Sequence, residues 1–268
     1  MDDAERLQGF IETWRVAAAD FVTLARTIPE NQWSLPTDLE GWDVRDNIAH
    51  TAHLEAVLAG APEETVEVAE APHIKGITGW YTEQGVLARR DRSMAELADE
   101  IEQSVASRLS DLRDTPPTDA AAPPPRTPGG VPWNTGTLLS NRPLDIWMHE
   151  QDIRRAIGRP GGFDSPAADH VIGVFGASLP MVLGKRVGAE PGTSVVLDVD
   201  GREFGAVVGD DGRATAEVVA DPTVRITLSA EDYVVRAGGR RGVDAVAPTY
   251  AEDDALGQRV VENLAVTP

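Results

Sequence analysis

The chain has 268 residues, a formal net charge of -20 at pH 7 and no cysteine. This acidic balance argues against a nucleic-acid partner, because phosphate binding needs clustered Lys and Arg. The lack of cysteine excludes disulfides, thiolate metal ligands and a cysteine nucleophile, so any thiol chemistry would need a thiol from outside the chain. A hydrophobic fraction of 41% is enough for packed cores. The length suits one large domain or two modest ones, and we expect two.

The N-terminal segment predicts a long helix with one buried face. Apolar residues recur there at spacings of three and four from Leu7 to Ile28. The first residues are acidic and amphipathic, and they lack the continuous apolar core of a secretory signal or a membrane span. We therefore expect a cytoplasmic protein with no membrane partner.

Further helical patterns follow in the first half of the chain. The segment GWDVRDNIAHTAHLEAVLAG predicts a second helix that Asp43 caps. The acidic stretch EETVEVAEA is expected to be a loop, and a third, glycine-weakened helical pattern runs on from Ile74. Ser93 and Glu96 have capping-box spacing at the start of a strong pattern that ends near Asp114.

A proline-rich segment separates these helices from the next one. The sequence TPPTDAAAPPPRTPGGVP holds seven prolines in eighteen residues, which excludes regular structure and predicts a long loop. A helix is expected across residues 138 to 157, starting or kinking at Pro143. Ser165 and Pro166 offer an N-cap and a first-turn proline for another helix.

The last part of the chain changes from a helical to an alternating pattern. The segments SVVLDVDG, REFGAVVGDDG, RATAEVVADP and TVRITL predict four short strands with tight turns. Ser229 can cap a short helix that Gly238 and Gly239 end, and a final helix is expected from about Asp253 to Leu264. The sequence therefore predicts an α+β protein with two domains, a helical one at residues 1–186 and an α+β one at residues 187–268.

Three side chains from two helices form a candidate metal site. Asp145 and His149 are four residues apart on one helix face, roughly 6 Å apart at Cβ, close enough to hold one metal ion or to pair with each other. His50, from the second helix, would complete a set that leaves coordination positions open, as a catalytic divalent ion requires. The same pattern also fits an ordinary intrahelical pair, and His50 lies in line with Leu54 and Leu58, as a buried structural histidine would.

Other polar side chains are expected to play secondary parts. His53 is expected at the edge of the site, either as a group that supports a ligand or as a structural group. Glu150 and Asp152 are expected to point away from the His149 face, with Asp152 pairing with an arginine at the helix end. In the second domain an arginine follows the Gly-Gly break, and such a side chain is either solvated or, if it reaches a metal pocket, a bidentate partner for a substrate carboxylate.

Two segments resemble the mycothiol-dependent maleylpyruvate isomerase family of actinobacteria, namely GWDVRDNIAHTAHLEAVLAG and DIWMHEQDIRRAIGRP. The resemblance extends over nearly the whole chain. It implies a DinB-like four-helix bundle followed by a small α+β domain similar to sterol-carrier folds. It also implies that His50, Asp145 and His149 ligate a divalent metal, usually zinc. The family more often has Glu at the position of Asp145. The shorter aspartate side chain reaches less far.

The resemblance also implies an arginine and a mechanism. The segment AGGR is similar to a Gly-Arg pair that supplies a functional arginine in the family. The resemblance implies this role for Arg240. The adjacent Arg241 is the alternative. A metal lowers the pKa of a bound thiol as it does that of bound water, so mycothiol would supply a thiolate that the cysteine-free chain lacks. The thiolate would add to a small electrophilic substrate whose carboxylate Arg240 holds.

Three functions fit these features. An isomerase would add the thiol to a conjugated double bond and release it again, whereas a mycothiol S-transferase that detoxifies electrophiles would consume it. A third interpretation is a non-catalytic module that binds a metal or a small molecule. Imidazole and carboxylate ligands do not distinguish zinc from nickel, iron or manganese, and the sequence fits a monomer or a homodimer.

Overall fold

The protein is described by a computed structural model that covers residues 2–267. It is an α+β structure, as the sequence predicts, with helices in the first part of the chain and a five-stranded sheet in the second. The chain divides into two compact units, residues 1–168 and 169–268. The sequence predicts a domain boundary between residues 186 and 187, where its pattern changes. That boundary concerns domains that fold on their own, and it stays a prediction.

Five helices build the first unit. The first helix packs against the fourth and fifth, and the second packs against the third, fourth and fifth. Their apolar faces meet in a core in which Leu7, Trp14, Ile48, Leu97 and Ile146 are completely buried. The helices are α1 (Asp3–Arg26), α2 (Val44–Leu58), α3 (Gly76–Leu87), α4 (Met94–Asp114) and α5 (Thr135–Ala156).

Capping boxes lie at the start of α1, α2 and α4, and the sequence predicted caps at the last two. Asp43 accepts from the backbone N–H of Asp46, and Asp46 accepts from the backbone N–H of Asp43 in return. Ser93 and Glu96 form the same reciprocal pair at the start of α4, so both predicted caps are confirmed. Each cap stabilises its helix by about 1 kcal/mol. The cap at Asp43 sets the register of α2 and with it the side on which His50 lies.

Helix α5 begins earlier than the sequence indicated and continues through its proline. It starts at Thr135 after an Asn134 cap rather than at Leu138, and Pro143 lies inside it. Neither a start nor a break occurs at Pro143, since the helical assignment is continuous from Thr135 to Ala156. Asp145 and His149 consequently lie on one uninterrupted helix.

The proline-rich segment is a loop, as predicted, with one 3₁₀ turn at Pro128–Gly130. It is tied to the helices by hydrogen bonds rather than extended away from them. The backbone N–H of Ala120 donates to Asp3 Oδ2 at 3.0 Å, and Arg126 Nη1 donates to the carbonyl oxygen of Ala61 at 2.9 Å. The loop therefore lies along the surface of the first unit.

The second unit is built around a mixed sheet in the order β3-β2-β1-β4-β5. Neighbouring strands are antiparallel except β1 and β4, which are parallel. The strands are β1 (Ser194–Val199), β2 (Arg202–Val208), β3 (Ala214–Ala216), β4 (Val224–Leu228) and β5 (Thr249–Glu252). The first four confirm the predicted strands. The fifth was missed because its four residues are exposed or half-exposed and show no apolar alternation.

Helices complete the second part of the chain. Ser229 caps α8 as expected, and the last helix, α9, packs against β4 and β5. The helices are α6 (Pro166–Gly176), α7 (Leu179–Met181), which continues as a π-helical turn (Val182–Val187), α8 (Ala230–Ala237) and α9 (Asp254–Glu262).

One helical stretch among residues 2–267 is long and apolar enough to cross a membrane by length and composition. It runs from Pro166 to Val187, with a mean hydropathy of 1.4 over its most apolar window. Half of that window is buried inside the protein, and core helices pass the same test. The stretch is therefore weak grounds for a membrane location, and the cytoplasmic location stays a prediction.

Candidate metal centre

The packing of α2 against α5 brings the three predicted ligands together. The imidazole rings of His50 and His149 lie with their centroids 4.7 Å apart. His50 Nε2 is 3.6 Å from Asp145 Oδ2, and His149 Nε2 is 3.7 Å from Asp145 Oδ1. One ligand atom from each of the three residues lies within 4.8 Å of the other two. The structure thus places two imidazole nitrogens and a carboxylate around one point.

These distances fit a shared cation better than direct hydrogen bonds. A separation of 3.6 Å or more is too long for a hydrogen bond between nitrogen and oxygen. Ligand atoms bound tetrahedrally to zinc at about 2.0–2.1 Å lie roughly 3.3 Å from one another. The two histidine–carboxylate separations, each to a different oxygen of Asp145, exceed that value by a few tenths of an ångström. The donor set, two imidazoles and a carboxylate, is also one that zinc accepts.

A hydrogen bond to Asn47 sets the tautomer of His149. The Asn47 Nδ2 group donates to the Asp43 carbonyl oxygen at 2.8 Å, which orients the amide so that Oδ1 faces His149 Nδ1, also at 2.8 Å. Because an amide oxygen only accepts, Nδ1 of His149 carries the proton. The lone pair is then on Nε2, the nitrogen that faces Asp145. Such a partner behind a histidine is typical of metal ligands.

His50 is also held in the form that binds a metal. Its side chain is buried, and burial lowers its pKa, against the opposing effect of the nearby Asp145 carboxylate. A lowered pKa keeps the imidazole neutral at pH 7, and neutral imidazole is the ligand form. Nδ1 of His50 is buried and has no hydrogen-bond partner among residues 2–267.

Asp145 contributes the negative charge of the cluster. Burial raises its pKa, but Arg142 and the two histidines outweigh burial, so that the pKa lies well below its usual range. The nearest of these groups is Arg142 Nη1, which donates to Oδ2 at 3.1 Å. The Asp145 side chain is 21% exposed, whereas both histidines are almost completely buried. The carboxylate is therefore ionised and is the most accessible member of the cluster.

Trp42 covers the two histidines. Its ring centroid lies 4.9 Å from that of His50 and 5.9 Å from that of His149, in tilted contacts. The indole is held in place by Nε1, which donates to Glu83 Oε2 at 2.9 Å. Since Trp42 is only half-buried, one side of the ring meets the histidines while another part reaches the surface. It forms an apolar wall next to the candidate ligands.

His53 is completely buried, with its ring 5.2 Å from that of Tyr81. Its place at the edge of the site stays a prediction. One secondary expectation from the sequence is wrong. Asp152 does not point away from His149, because its Oδ2 lies 3.6 Å from His149 Nδ1. Its expected pairing is confirmed, as Arg155 at the end of α5 donates to Oδ1. Asp152 therefore lies next to the candidate site as well as next to the helix end.

Arg240 lies in the second unit, in the turn after α8. Its backbone N–H donates to the Val235 carbonyl oxygen at 2.9 Å, and its Nη1 donates to the Gly238 carbonyl oxygen, also at 2.9 Å. These bonds fix the turn. The substrate-binding role of Arg240, and the choice between it and Arg241, stay predictions.

Three polar residues next to the cluster were missed from the sequence, Asn47, Arg142 and Glu55. Asn47 lies three residues before His50, and Arg142 three residues before Asp145, so helix spacing alone puts each beside a candidate ligand. Glu55 is recognisable only once α2 and α5 are packed together. Its carboxylate accepts from Arg142 Nε at 2.9 Å across that interface.

Comparisons with known proteins give a family match and similar crystal structures. The family model described as the mycothiol maleylpyruvate isomerase N-terminal domain matches residues 14–154, a region that contains all three candidate ligands. A crystal structure of the mycothiol-dependent maleylpyruvate isomerase is similar over 93% of this chain and 96% of that chain, with 19% identity and a TM-score of 0.57. A histidine-to-alanine mutant of that isomerase matches with the same coverage, 18% identity and a TM-score of 0.55. No curated protein matches the chain.

Proposed function

Since the chain belongs to the mycothiol maleylpyruvate isomerase family, we propose that it is an enzyme that uses mycothiol together with a divalent metal, zinc, held by His50, Asp145 and His149. The observation that carries this proposal is the convergence of the three side chains within 4.8 Å of one another, inside the region that the family model matches. Neither the residue types nor their spacing in the sequence requires the three side chains to lie together. Their proximity in the folded chain supports binding of one metal ion by all three.

Each residue around the proposed metal has its own role. A divalent cation lowers the pKa of a coordinated thiol and so supplies a thiolate at neutral pH. His50 and His149 offer neutral nitrogens, and Asp145 offers the one negative charge. Trp42 shields the histidines from water on one side. Because the chain has no cysteine, the added thiol meets no protein thiolate competing for the metal.

The substrate is a small electrophile that carries a carboxylate. A guanidinium binds a carboxylate through two parallel hydrogen bonds, and Arg240 is the residue to which we assign this role. In an isomerisation the thiol sulfur adds to one carbon of a conjugated double bond, and a proton adds to complete the single bond. Rotation about that bond and loss of the same sulfur and a proton restore the double bond. The thiol is then released unchanged.

Two alternatives stay open at this site. A mycothiol S-transferase would use the same ligands and release the thiol adduct, so it would consume thiol as product forms. A non-catalytic binding module is favoured by one observation, the hydrogen bond from Arg142 to Asp145 at 3.1 Å. In that case the arginine would satisfy the carboxylate in place of a metal.

The finer fold assignment also belongs to this proposal. We assign the first unit to DinB-like four-helix bundles, because α1, α2, α4 and α5 pack pairwise around a common core. We assign the second to small α+β domains similar to sterol-carrier folds. Its five-stranded sheet with helices α8 and α9 supports that assignment.

Turnover with a defined thiol tests the function. Zinc-loaded protein is mixed with maleylpyruvate, with and without mycothiol, and both substrate isomer and free thiol are followed. The isomerase predicts a change of isomer that needs catalytic mycothiol and leaves its concentration constant. Loss of thiol in proportion to product would identify a transferase. If zinc-loaded protein gives neither, with maleylpyruvate or with a panel of electrophilic carboxylates, the enzyme proposal fails.

A further inference from the structure

A chain of buried charged groups lies behind Asp145. Glu55 on α2 is completely buried, and Arg142 on α5 is 1% exposed. Arg142 Nε donates to Glu55 Oε1 at 2.9 Å, and Trp14 Nε1 donates to Glu55 Oε2 at 3.1 Å. Even a paired charge this deep in a core adds little stability, because the cost of desolvation can exceed the attraction, so packing alone does not explain this pair.

Arg142 connects this buried pair to the candidate metal ligand. Its Nη1 donates to Asp145 Oδ2 at 3.1 Å, while its Nε is held by Glu55. A guanidinium is planar and rigid, so a group anchored on one edge presents its other edge in a fixed direction. The bond consequently fixes the orientation of the Asp145 carboxylate. Oδ1, which faces His149 Nε2, has no contact with Arg142 among those that the structure shows.

By its charge alone, Arg142 would weaken the binding of a cation by Asp145. A positive guanidinium next to a metal ligand competes for the carboxylate and repels the ion, most strongly where the surroundings are apolar. Glu55 reduces that repulsion, because its charge lies on the other side of Arg142. Arg108, whose Nη1 is 3.7 Å from Glu55 Oε2, gives Glu55 a second positive partner. The formal charges of these two arginines, Glu55 and Asp145 sum to zero.

We propose that Arg142, anchored by Glu55, is a positioning residue that holds the short side chain of Asp145 in the direction needed to ligate the metal. The inference rests on the proposed function, because it requires Asp145 to be a ligand. Aspartate has one methylene fewer than glutamate and so fewer orientations in which it reaches the point that His50 and His149 face. The guanidinium selects one of them before the ion arrives.

Zinc binding by charge-altered variants tests this role. The dissociation constant for Zn²⁺ alone is measured by competition with a chromophoric chelator, and the absorption bands of the Co²⁺-substituted protein report ligand geometry. The variants are Arg142→Met and Glu55→Gln. Arg154→Met is the matched control, because Arg154 lies on the same helix and pairs with Glu150 at 2.7 Å, outside the cluster.

The sign of the effect separates positioning from repulsion. Removing a positive charge beside a cation site should tighten zinc binding if Arg142 acts only through its charge. If Arg142 positions Asp145, Arg142→Met should weaken zinc binding by about tenfold or more and shift the Co²⁺ bands, as loss of a residue that orients a ligand does. Glu55→Gln weakens zinc binding under either account, because it removes a negative charge, so its Co²⁺ bands discriminate and should shift as those of Arg142→Met do. Arg154→Met should bind as the wild type does.

Each outcome decides the proposal. Equal or tighter zinc binding by Arg142→Met, with unchanged Co²⁺ bands, would overturn it and leave the proposed function standing. If Arg142→Met fails to fold, by its far-ultraviolet circular dichroism, the Co²⁺ bands of Glu55→Gln decide, and wild-type bands in that variant would overturn the proposal whatever its zinc affinity. A wild-type protein that binds no zinc would remove the metal site itself, and the positioning role with it.

Discussion

Asn47 accepts a hydrogen bond from Nδ1 of His149 at 2.8 Å, across the interface between α2 and α5. Because this bond leaves Nε2 as the nitrogen with a lone pair, we predict that Asn47→Ala weakens zinc binding by about 10- to 100-fold. Thr51→Ala is the control, since Thr51 is equally buried on α2 and its hydroxyl donates to the Asn47 carbonyl oxygen at 3.1 Å. Competition with a chromophoric chelator measures both. Equal zinc affinity in the two variants would mean that Asn47 does not set the tautomer.

The carboxylate of Asp145 is expected to matter through its charge. Asp145→Asn keeps the shape of the side chain, but a neutral amide is a poor ligand for a divalent ion, so we expect bound zinc to fall far below one per chain. Asp145→Glu keeps the negative charge and should keep zinc bound. The zinc content of each variant after gel filtration tests both expectations. Full zinc content in Asp145→Asn would exclude the carboxylate as a ligand.

The proposed substrate arginine makes a kinetic prediction. Arg240→Ala should raise KM for a carboxylate substrate by about tenfold or more, because two charge-assisted hydrogen bonds are lost, while zinc content stays unchanged. Arg241→Ala is the matched neighbour and should show the smaller effect. If the two variants exchange these results, the role belongs to Arg241. Wild-type kinetics in both would remove the arginine from the mechanism.

Gly85 on α3 lies directly against His53, and an added methyl group would be 2.2 Å from the imidazole ring. Gly85→Ala should therefore destabilise the protein by about 1–3 kcal/mol, as overpacking of a core does. Gly9→Ala on α1 is the matched control, because nothing lies within 4 Å of its added methyl group. In that helix alanine should stabilise by about 0.5–1 kcal/mol. Urea denaturation measures both, and stabilisation by Gly85→Ala would contradict the packing of α3 on α2.

Stability should fall in acid partly because of His53. Burial first, and then the charges of Arg89 and His50, lower its pKa to about 3. The unfolded chain therefore takes up a proton near pH 6.5 that the folded chain takes up only near pH 3, so stability is full above pH 6.5 and declines as the pH falls between these values. His53→Phe should have a shallower decline in melting temperature from pH 6.5 to 4.5. Identical slopes for both proteins would contradict the lowered pKa.

The sequence predicted most helices because their determinants are local. The caps at Asp43 and Ser93 and the apolar spacing of α1 act within a few residues, and the structure confirms them. Strand β5 could not be found in this way, since its pairing with β4 is a tertiary contact that its own four residues do not encode. The expected start at Pro143 was wrong, because α5 begins at Thr135 and continues through this proline.

The candidate ligands were found from spacing within helices and a family resemblance, whereas their surroundings depend on packing between helices. Asp145 and His149 share a helix face whatever the rest of the fold does. The bond between Asn47 and His149 spans 102 positions, and the bond between Glu55 and Arg142 spans 87, so neither follows from local pattern. The structure adds the proximity of His50 to Asp145 and His149, which the sequence pattern does not determine.

The metal content of the protein tests the central claim most directly. Tag-free wild-type protein, purified without chelator and reconstituted with zinc, is analysed for metals beside His50→Ala and His149→Ala, with His53→Phe as a control from the same helix. We predict close to one divalent ion per chain in the wild type and in His53→Phe, and its loss from both ligand variants. A wild-type protein without metal after reconstitution, or ligand variants that keep it, would contradict the assignment of His50, Asp145 and His149 as a metal centre.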